Sequence, residues 1–194
     1  MTAPRKRRSA TEARRRILET AERHLVDGGP EAVRVQVIAR DLGITDAAIH
    51  YHFGSREQLL EELLRHGGRK LREAVRAAVA DNVDGRLDLP GFLADANAIF
   101  RDLGYSRLAL WLRAAGWRER GSGMFDGLVD AIHDTPAIRS HREAQRIAAL
   151  LVLVLMAEPV YGEAARRSVS MRATGADAEE FDLFVRDTFA GLLE

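Results

Sequence analysis

The sequence predicts an all-α protein, and three observations carry this prediction. Apolar residues recur at the three- and four-residue spacing of amphipathic helices along most of the 194 residues. No stretch of useful length alternates apolar and polar residues as a half-buried strand would. Glycine and proline separate the helical stretches, as in the run Gly28-Gly29-Pro30. We therefore expect a set of helices that bury their apolar faces against one another.

The composition is that of an ordinary soluble protein, with 46% hydrophobic and 30% charged residues. The absence of cysteine excludes disulfides and thiolate chemistry, and residues 1–8 lack the apolar segment of a secretory signal, so we expect a cytoplasmic, nucleoid-associated protein. The net charge is zero, but residues 1–16 hold seven basic side chains and one acidic, which leaves −6 on the rest. This asymmetry predicts a basic end that faces DNA on an acidic body.

Residues 35–53 predict two short helices joined by a tight turn. The first has one apolar stripe, formed by Val35, Ile38, Ala39 and Leu42. Gly43 then supplies the left-handed residue that ends a helix, and Thr45 is a good N-cap for a second helix with Ile49 and Phe53 inside. The pattern is that of a helix-turn-helix, whose second helix enters the major groove, although any helical hairpin would share it.

Residues 43–59, GITDAAIHYHFGSREQL, resemble the recognition helix and following turn of the TetR family of transcriptional regulators. The matching positions are Gly43, Ile44, Thr45, Ile49, His52, Phe53, Gly54, Ser55, Glu57 and Leu59. Two positions depart from the family pattern: His50 replaces a tyrosine that usually touches a phosphate, and Arg56 replaces a lysine. The resemblance implies an N-terminal three-helix head with a helix-turn-helix, joined to a C-terminal helical bundle that binds ligand and dimerises.

This architecture divides the chain into three predicted parts. Residues 1–8 are expected to be a disordered basic arm, residues 9–70 the DNA-binding domain with its helix-turn-helix at 34–53, and residues 71–194 the ligand-binding and dimerisation domain. Ser9 and Glu12 form a capping box that would start the first helix. The helix after Ser55 would leave the head, and Gly67-Gly68 offers it a place to bend. Residues 84–90 are rich in turn formers and predict a linker.

The predicted DNA contacts lie on and beside the second helix of the motif. Ala47 is short enough to let the helix sit deep and touch a thymine methyl, whereas Asp46 can only accept a hydrogen bond, for example from cytosine N4. The other polar positions would face the phosphates, which set register rather than sequence. The predicted DNA-binding residues are Arg34, Thr45, Asp46, Ala47, His50, Tyr51, His52 and Arg56.

A dimer interface is predicted in the C-terminal part. Residues 147–157 are eleven apolar residues without a polar face, too few for the roughly 20 that a bilayer requires. A helix that is apolar all round must be buried on every side, so one side would face the core and the other a second subunit. The resemblance likewise implies a four-helix interface made by the last two long helices. The predicted interface residues are Leu151, Leu155, Phe181, Phe184 and Thr188.

Large flat side chains in the middle of the chain predict a cavity for a small apolar effector. Any one of them is more often core than pocket, but such sites are apolar concavities with a few polar groups. Arg113, His133 and Glu158 are the polar candidates. The full predicted set is Phe100, Tyr105, Trp111, Arg113, Trp117, Phe125, His133, Glu158 and Tyr161.

No pattern for catalysis, for a cofactor or for a metal was found, so the chain is not predicted to be an enzyme. It has no P-loop, nucleophile elbow or dinucleotide fingerprint, and the spacing of His133 and His141 matches no metal motif. The predicted function is a homodimeric repressor on a palindromic operator in double-stranded DNA, released by a small apolar ligand, with no membrane partner. The alternative is a helical protein that binds a small molecule or a partner without specific DNA binding, an alternative that Asp46 and His50 keep open.

Overall fold

The computed structural model describes residues 3–80, 87–118 and 123–193. The helices in these ranges are α1 (Ala3–Gly28), α2 (Val35–Leu42), α3 (Asp46–Phe53), α4 (Arg56–Ala80), α5 (Leu89–Asn97), α6 (Tyr105–Ala114), α7 (Asp126–His133), α8 (His141–Ser168) and α9 (Ala176–Leu193). A 3₁₀ turn at Pro30–Ala32 and a π-helical turn at Ala98–Asp102 complete them. These residues contain no strand, and the predicted all-α class is confirmed. Residues 84–86 of the predicted linker lie outside the described ranges.

The first helix starts earlier than the sequence predicted. We expected a disordered arm over residues 1–8 and a helix start at Ser9, but α1 begins at Ala3. Alanine, arginine and lysine are good helix formers, and Pro4 is tolerated because it lies in the first turn, where its missing N–H has no helical partner. The capping box therefore lies inside the helix. Met1 and Thr2, the rest of the predicted arm, lie outside the described residues.

The chain divides into two compact units. The head unit comprises Met1–Gly68 and Asp102–Arg118, and the body unit comprises Arg69–Arg101 and Glu119–Glu194. Our boundary between residues 70 and 71 lies close to the first division, but we had placed residues 102–118 in the C-terminal domain. They cluster with the head unit instead, so α6 belongs to the same unit as the helix-turn-helix.

The core of the head unit forms where α1 packs against α2 and α3. The apolar stripes that predicted these helices supply it, and its most buried side chains include Ile17, Leu25, Ile38, Ile49, Leu59, Leu63 and Leu108. Helix α6 packs against the 3₁₀ turn. The hydroxyl of Tyr105 on α6 also donates a hydrogen bond of 2.6 Å to Glu22 on α1.

Gly67 is a packing residue and does not interrupt α4, which runs unbroken through the glycine pair. A Cβ at position 67 would lie 2.5 Å from two ring carbons of Tyr105. Tyr105 is only 2% exposed, and its hydroxyl is held by Glu22. The glycine thus lets the ring lie against the helix backbone.

Replacing Gly67 with alanine should therefore destabilise the protein. Alanine favours a helix over glycine by about 1 kcal/mol, but overpacking against a pinned ring costs about 1–3 kcal/mol. Urea unfolding followed by circular dichroism measures the net effect. Gly127→Ala is the matched control, because its Cβ would meet only Val75 at 3.6 Å, an ordinary contact. A Gly67→Ala protein as stable as this control would contradict the packing assignment.

In the body unit, α8 packs against α7 and α9, and α9 also contacts α5. Pro159 does not break α8, which continues for nine residues beyond it. By length and composition α8 could span a membrane, the one such helix in the described ranges. A core helix passes the same test, and α8 buries one face within the body unit.

Two predicted dimer contacts belong to this buried face. Leu151 is 1% exposed and Leu155 is 3% exposed within a single chain, so neither is available to a second subunit. The sequence could not show which face of this helix is buried, because residues 147–157 are apolar on every side. Phe181 is partly buried, and the Arg166 guanidinium lies 5.7 Å from its ring centroid. Of the five predicted interface residues, Phe184 and Thr188 are exposed.

Candidate nucleic-acid interface

The turn between α2 and α3 has the predicted geometry. Gly43 ends α2 in the left-handed conformation, with φ 65° and ψ 34°. The Thr45 hydroxyl accepts a hydrogen bond of 3.2 Å from the backbone N–H of Ala48, which caps α3. Ile44, which lies between Gly43 and Thr45 in this turn, is 38% exposed. The capping residues thus define both ends of the turn from local signals alone.

Helix α3 is anchored by its inner face. Ile49 is 1% exposed and Phe53 is 8% exposed. The guanidinium of Arg14 on α1 lies 4.4 Å from the Phe53 ring centroid and donates a hydrogen bond to the backbone carbonyl of His52. Sequence reasoning missed this role of Arg14, because it treated Arg14 only as part of the basic end, residues 1–16, that was expected to face DNA.

The outer face of α3 presents most of the predicted base and phosphate contacts together. Ala47 and His50 are exposed, and Tyr51 is 84% exposed although it is a large aromatic residue. Asp46 and His52 are partly buried at the two ends of the helix. An aromatic residue this exposed contributes little to the core, so its position favours a role in contact with a partner.

His50 is fixed by its own helix end. Its ring Nδ1 contacts the backbone carbonyl of Gly54, and because a carbonyl can only accept, Nδ1 must carry the hydrogen. With Nδ1 used in this hydrogen bond, only Nε2 of His50 is left to face a phosphate.

The two predicted arginine contacts differ in placement. Arg34 is exposed at the N-terminus of α2, where its Nε donates to the Glu31 carbonyl at 3.2 Å. Arg56 turns inward instead of toward a phosphate: Nε donates to the Val33 carbonyl at 2.8 Å and a terminal nitrogen donates to the Pro30 carbonyl at 2.6 Å. Its guanidinium also lies 5.3 Å from the ring centroid of Trp111.

The start of α4 is capped by side chains of its own first turn. The Ser55 hydroxyl accepts from the backbone N–H of Gln58 at 3.2 Å, and the Gln58 side chain accepts from the backbone N–H of Ser55 at 2.9 Å. This reciprocal capping box also holds Glu57, whose pKa is lowered by hydrogen bonds from its own backbone N–H and from Ser55. The cap fixes where α3 ends and α4 begins.

The residues predicted to bind a ligand are divided between the two units. Tyr105, Trp111, Arg113 and Trp117 lie in the head unit, and Phe100, Phe125, His133, Glu158 and Tyr161 lie in the body unit. Tyr105 and Trp111 contact Glu22 and Arg56 within the head unit. Glu158 accepts hydrogen bonds from two guanidinium groups, so it is not a free polar group waiting for a ligand.

A comparison with known families decides what the head unit is. Residues 17–63 match the model of bacterial regulatory proteins of the tetR family. Residues 17–63 therefore form a tetR-family segment. This match covers residues 17–28 of α1, all of α2 and α3 and the start of α4, and it includes residues 43–59, where the sequence resembles the family.

Two named regulators are similar to part of this chain. The chain is 39% identical over 66 residues to the HTH-type transcriptional regulator BetI of Rhizobium meliloti (strain 1021), which covers 34% of this chain and 32% of that protein. It is 27% identical over 99 residues to BetI of Brucella anthropi, which covers 51% of this chain and 50% of that protein. The matches thus span a third to a half of these relatives. Their names agree with the prediction that the chain is a regulator and not an enzyme.

The fold similarity extends much further than the sequence similarity. The crystal structure of SCO4313, described as a regulatory protein, matches with a TM-score of 0.59 over 97% of this chain and 100% of that one. The two sequences are 19% identical. The likeness in fold therefore covers nearly the whole chain.

Proposed function

We propose that this chain is a DNA-binding transcriptional regulator that acts as a cytoplasmic homodimer on a two-fold symmetric operator. The outward face of α3 carries the proposal, because Ala47, His50 and Tyr51 are exposed together on a helix that is capped and anchored on its other side. A helix held in this way can enter the major groove with its side chains toward the base edges and phosphates. The tetR-family segment, residues 17–63, supports the same conclusion.

Replacing Tyr51 tests this proposal directly. Tyr51→Ala should lower affinity for the operator about tenfold, the cost of one good hydrogen bond or stacking contact, and leave stability within about 0.5 kcal/mol because the side chain is exposed. Tyr51→Phe separates the hydroxyl from the ring. Fluorescence anisotropy with the chain's own upstream DNA, over a range of salt, measures both affinity and phosphate contacts. An operator affinity that is unchanged in Tyr51→Ala, or that does not depend on salt concentration, would argue against α3 as the helix that binds the major groove.

The homodimer is the second part of the proposal. Helices α8 and α9 each leave large apolar side chains exposed in the described chain, with Leu153 at 65% and Phe184 at 64%. Apolar surface of this kind on a soluble regulator favours a protein partner, and a symmetric operator calls for a second copy. Sedimentation at micromolar concentration tests it, and a stable monomer would refute it.

Release by a small apolar effector is the third part, and the family resemblance supports it. Because Trp111 covers Arg56 in the head unit, a variant at this position is expected to change DNA binding itself. Trp117 and Phe125 are each partly buried, so they are the first residues to replace in a test of effector binding. A thermal-shift screen of hydrophobic metabolites tests for a ligand. A compound that binds should lower the protein's affinity for operator DNA, and operator DNA should lower the protein's affinity for that compound by the same factor.

A further inference from the structure

One nitrogen of the His50 ring is held by the end of its own helix. Nδ1 contacts the carbonyl oxygen of Gly54, the residue that ends α3 with φ 82°, in the left-handed region that favours glycine. A Cβ on Gly54 would collide with the side chain of Gln58, whose amide oxygen accepts from the backbone N–H of Ser55 at 2.9 Å. Because a carbonyl oxygen only accepts, Nδ1 carries the hydrogen of this contact. The end of α3 thus leaves Nε2 as the ring nitrogen for a ligand.

Nε2 belongs to a side chain on the surface that we propose for DNA. His50 is exposed on the outward face of α3, beside Tyr51, which is 84% exposed. In the part of the chain that the structure describes, Nε2 of His50 forms no hydrogen bond. A phosphate oxygen only accepts, so a ring that donates to Gly54 and to a phosphate together needs a hydrogen on both nitrogens. That ring is the imidazolium cation.

Helices α1 and α2 pack against α3, and their charged side chains make contacts of their own or are exposed. On α1, Arg14 donates to a backbone carbonyl in the last turn of α3. His24 of α1 pairs with Asp41 of α2 at 2.7 Å. Arg34 and Arg40, near the two ends of α2, are exposed. These cations favour the approach of DNA without supplying an anion to His50.

The remaining charged groups near His50 lie on α4 and on α3 itself. At the start of α4, Arg56 donates to two backbone carbonyls before α2, and Glu57 accepts hydrogen bonds within the cap of α4. On α3, Asp46 lies one turn before His50, and His52 is partly buried. Among the described residues none of the charged groups forms an ion pair with His50, so no carboxylate of the free chain already holds its imidazolium.

We propose that operator binding takes up a proton at His50 of each subunit, so that affinity for DNA falls as pH rises. The imidazolium keeps its Nδ1 hydrogen bond to Gly54 and donates a charge-assisted hydrogen bond from Nε2 to a phosphate oxygen. Histidine is the side chain that ordinarily changes charge between about pH 5 and 8, so this contact makes operator affinity depend on pH in the physiological range. The inference rests on the proposed function, since it concerns the regulation of the same DNA-binding surface.

The pH dependence of operator affinity is the first test. Fluorescence anisotropy with a duplex of the chain's own upstream DNA, at constant ionic strength, should give a dissociation constant that rises about a hundredfold from about pH 5.5 to pH 8, or about tenfold for each subunit. His50→Gln, whose amide donates at any pH, should remove most of this dependence. His24→Gln is the matched control, because it replaces a histidine of the head unit that lies outside α3. It should leave the pH dependence unchanged.

Proton uptake itself is measured by titration calorimetry in buffers of different ionisation enthalpy. Near pH 7 the wild type should take up protons as it binds the duplex, up to about two for each dimer, and His50→Gln should take up fewer. Uptake that is absent in the wild type, that persists in His50→Gln, or that is lost in His52→Gln instead would overturn the proposal. A wild type that binds this duplex no better than unrelated DNA at every pH would contradict the proposed function itself.

Discussion

Replacing Glu158 with alanine is expected to cost the body unit about 3–5 kcal/mol of stability. One carboxylate oxygen accepts from Arg166 at 2.7 Å, and the other accepts from Arg101 at 2.5 Å. The side chains of Glu158 and Arg166 are 11% and 8% exposed, so removal of the carboxylate leaves a buried guanidinium without its counter-charge. Arg101 also pairs with Asp182 on α9 at 3.2 Å, so the carboxylate joins three segments of the body unit.

Urea unfolding at one fixed protein concentration measures this loss, since dimerisation would add a concentration-dependent term. Glu163→Ala is the matched control on the same helix. Glu163 pairs with Arg167, but their side chains are 54% and 68% exposed, and exposed pairs contribute about 0–1 kcal/mol. Equal losses in the two variants would show that the buried pair stabilises the body unit no more than a surface pair does.

The same carboxylate predicts a pH dependence. Burial alone would raise the pKa of Glu158, but hydrogen bonds from Arg166 and Arg101 outweigh it and hold the pKa below its ordinary value of 4.5. A lowered pKa means stability that is present above pH 4.5 and is lost as pH falls through the folded-state value. The stability gap between the wild type and Glu158→Gln should therefore narrow below about pH 4.5. A gap that widened on acidification would contradict this sign.

A glycine in the same helix makes this ion pair possible. A Cβ at Gly162 would lie 2.6 Å from Oε1 of Glu158 and 3.1 Å from a terminal nitrogen of Arg166. The two side chains thus reach each other across the bare backbone of Gly162, over two turns of α8. Position 162 is buried for this reason, and the sequence pattern alone gave no sign of it.

The helix-turn-helix could be predicted because its signals are local. Each signal acts within about four residues and is found in the structure as predicted. The end of α2 is set by Gly43, the start of α3 by Thr45, and the buried face of α3 by Ile49 and Phe53. The buried face of helix α8 could not be predicted in the same way. An apolar run without a polar face leaves the choice between Leu151 and Leu150 to neighbouring helices, which buried Leu151 and exposed Leu150.

The roles of long polar side chains were the least predictable part of the site. Arg56 has the position of a family residue after the recognition helix, yet its guanidinium is held by carbonyls more than twenty residues earlier in the chain. Trp111 was predicted to line a cavity because it is large and aromatic, and it covers that guanidinium instead. Both outcomes depend on contacts between distant segments, which no residue spacing encodes.

Replacing Arg56 with alanine is expected to cost the head unit about 2–3 kcal/mol and to weaken operator binding for every DNA sequence. The change leaves the partly buried carbonyls of Pro30 and Val33 without their charged donor, at about 1–3 kcal/mol each before relaxation and hydration, and it removes a cation–π contact. Since the segment that holds these carbonyls leads into α2, the position of the helix-turn-helix should loosen. Urea unfolding and fluorescence anisotropy measure the two effects.

Arg56→Lys distinguishes this positioning role from the phosphate contact that the sequence suggested. Lysine keeps the charge but cannot donate to both carbonyls in the plane of a guanidinium or stack in the same way on Trp111. In a positioning role, lysine should fail to restore stability, and the slope of log affinity against log salt should stay that of the wild type. If Arg56 instead neutralised a phosphate, lysine would restore binding, and alanine would reduce the slope by about two, because each subunit of the proposed homodimer contributes one Arg56. Trp111→Ala should reproduce part of the loss of stability and operator affinity seen in Arg56→Ala, because it uncovers the same guanidinium. A Trp111→Ala protein with wild-type stability and affinity would show that the contact between Trp111 and Arg56 does not stabilise the head unit.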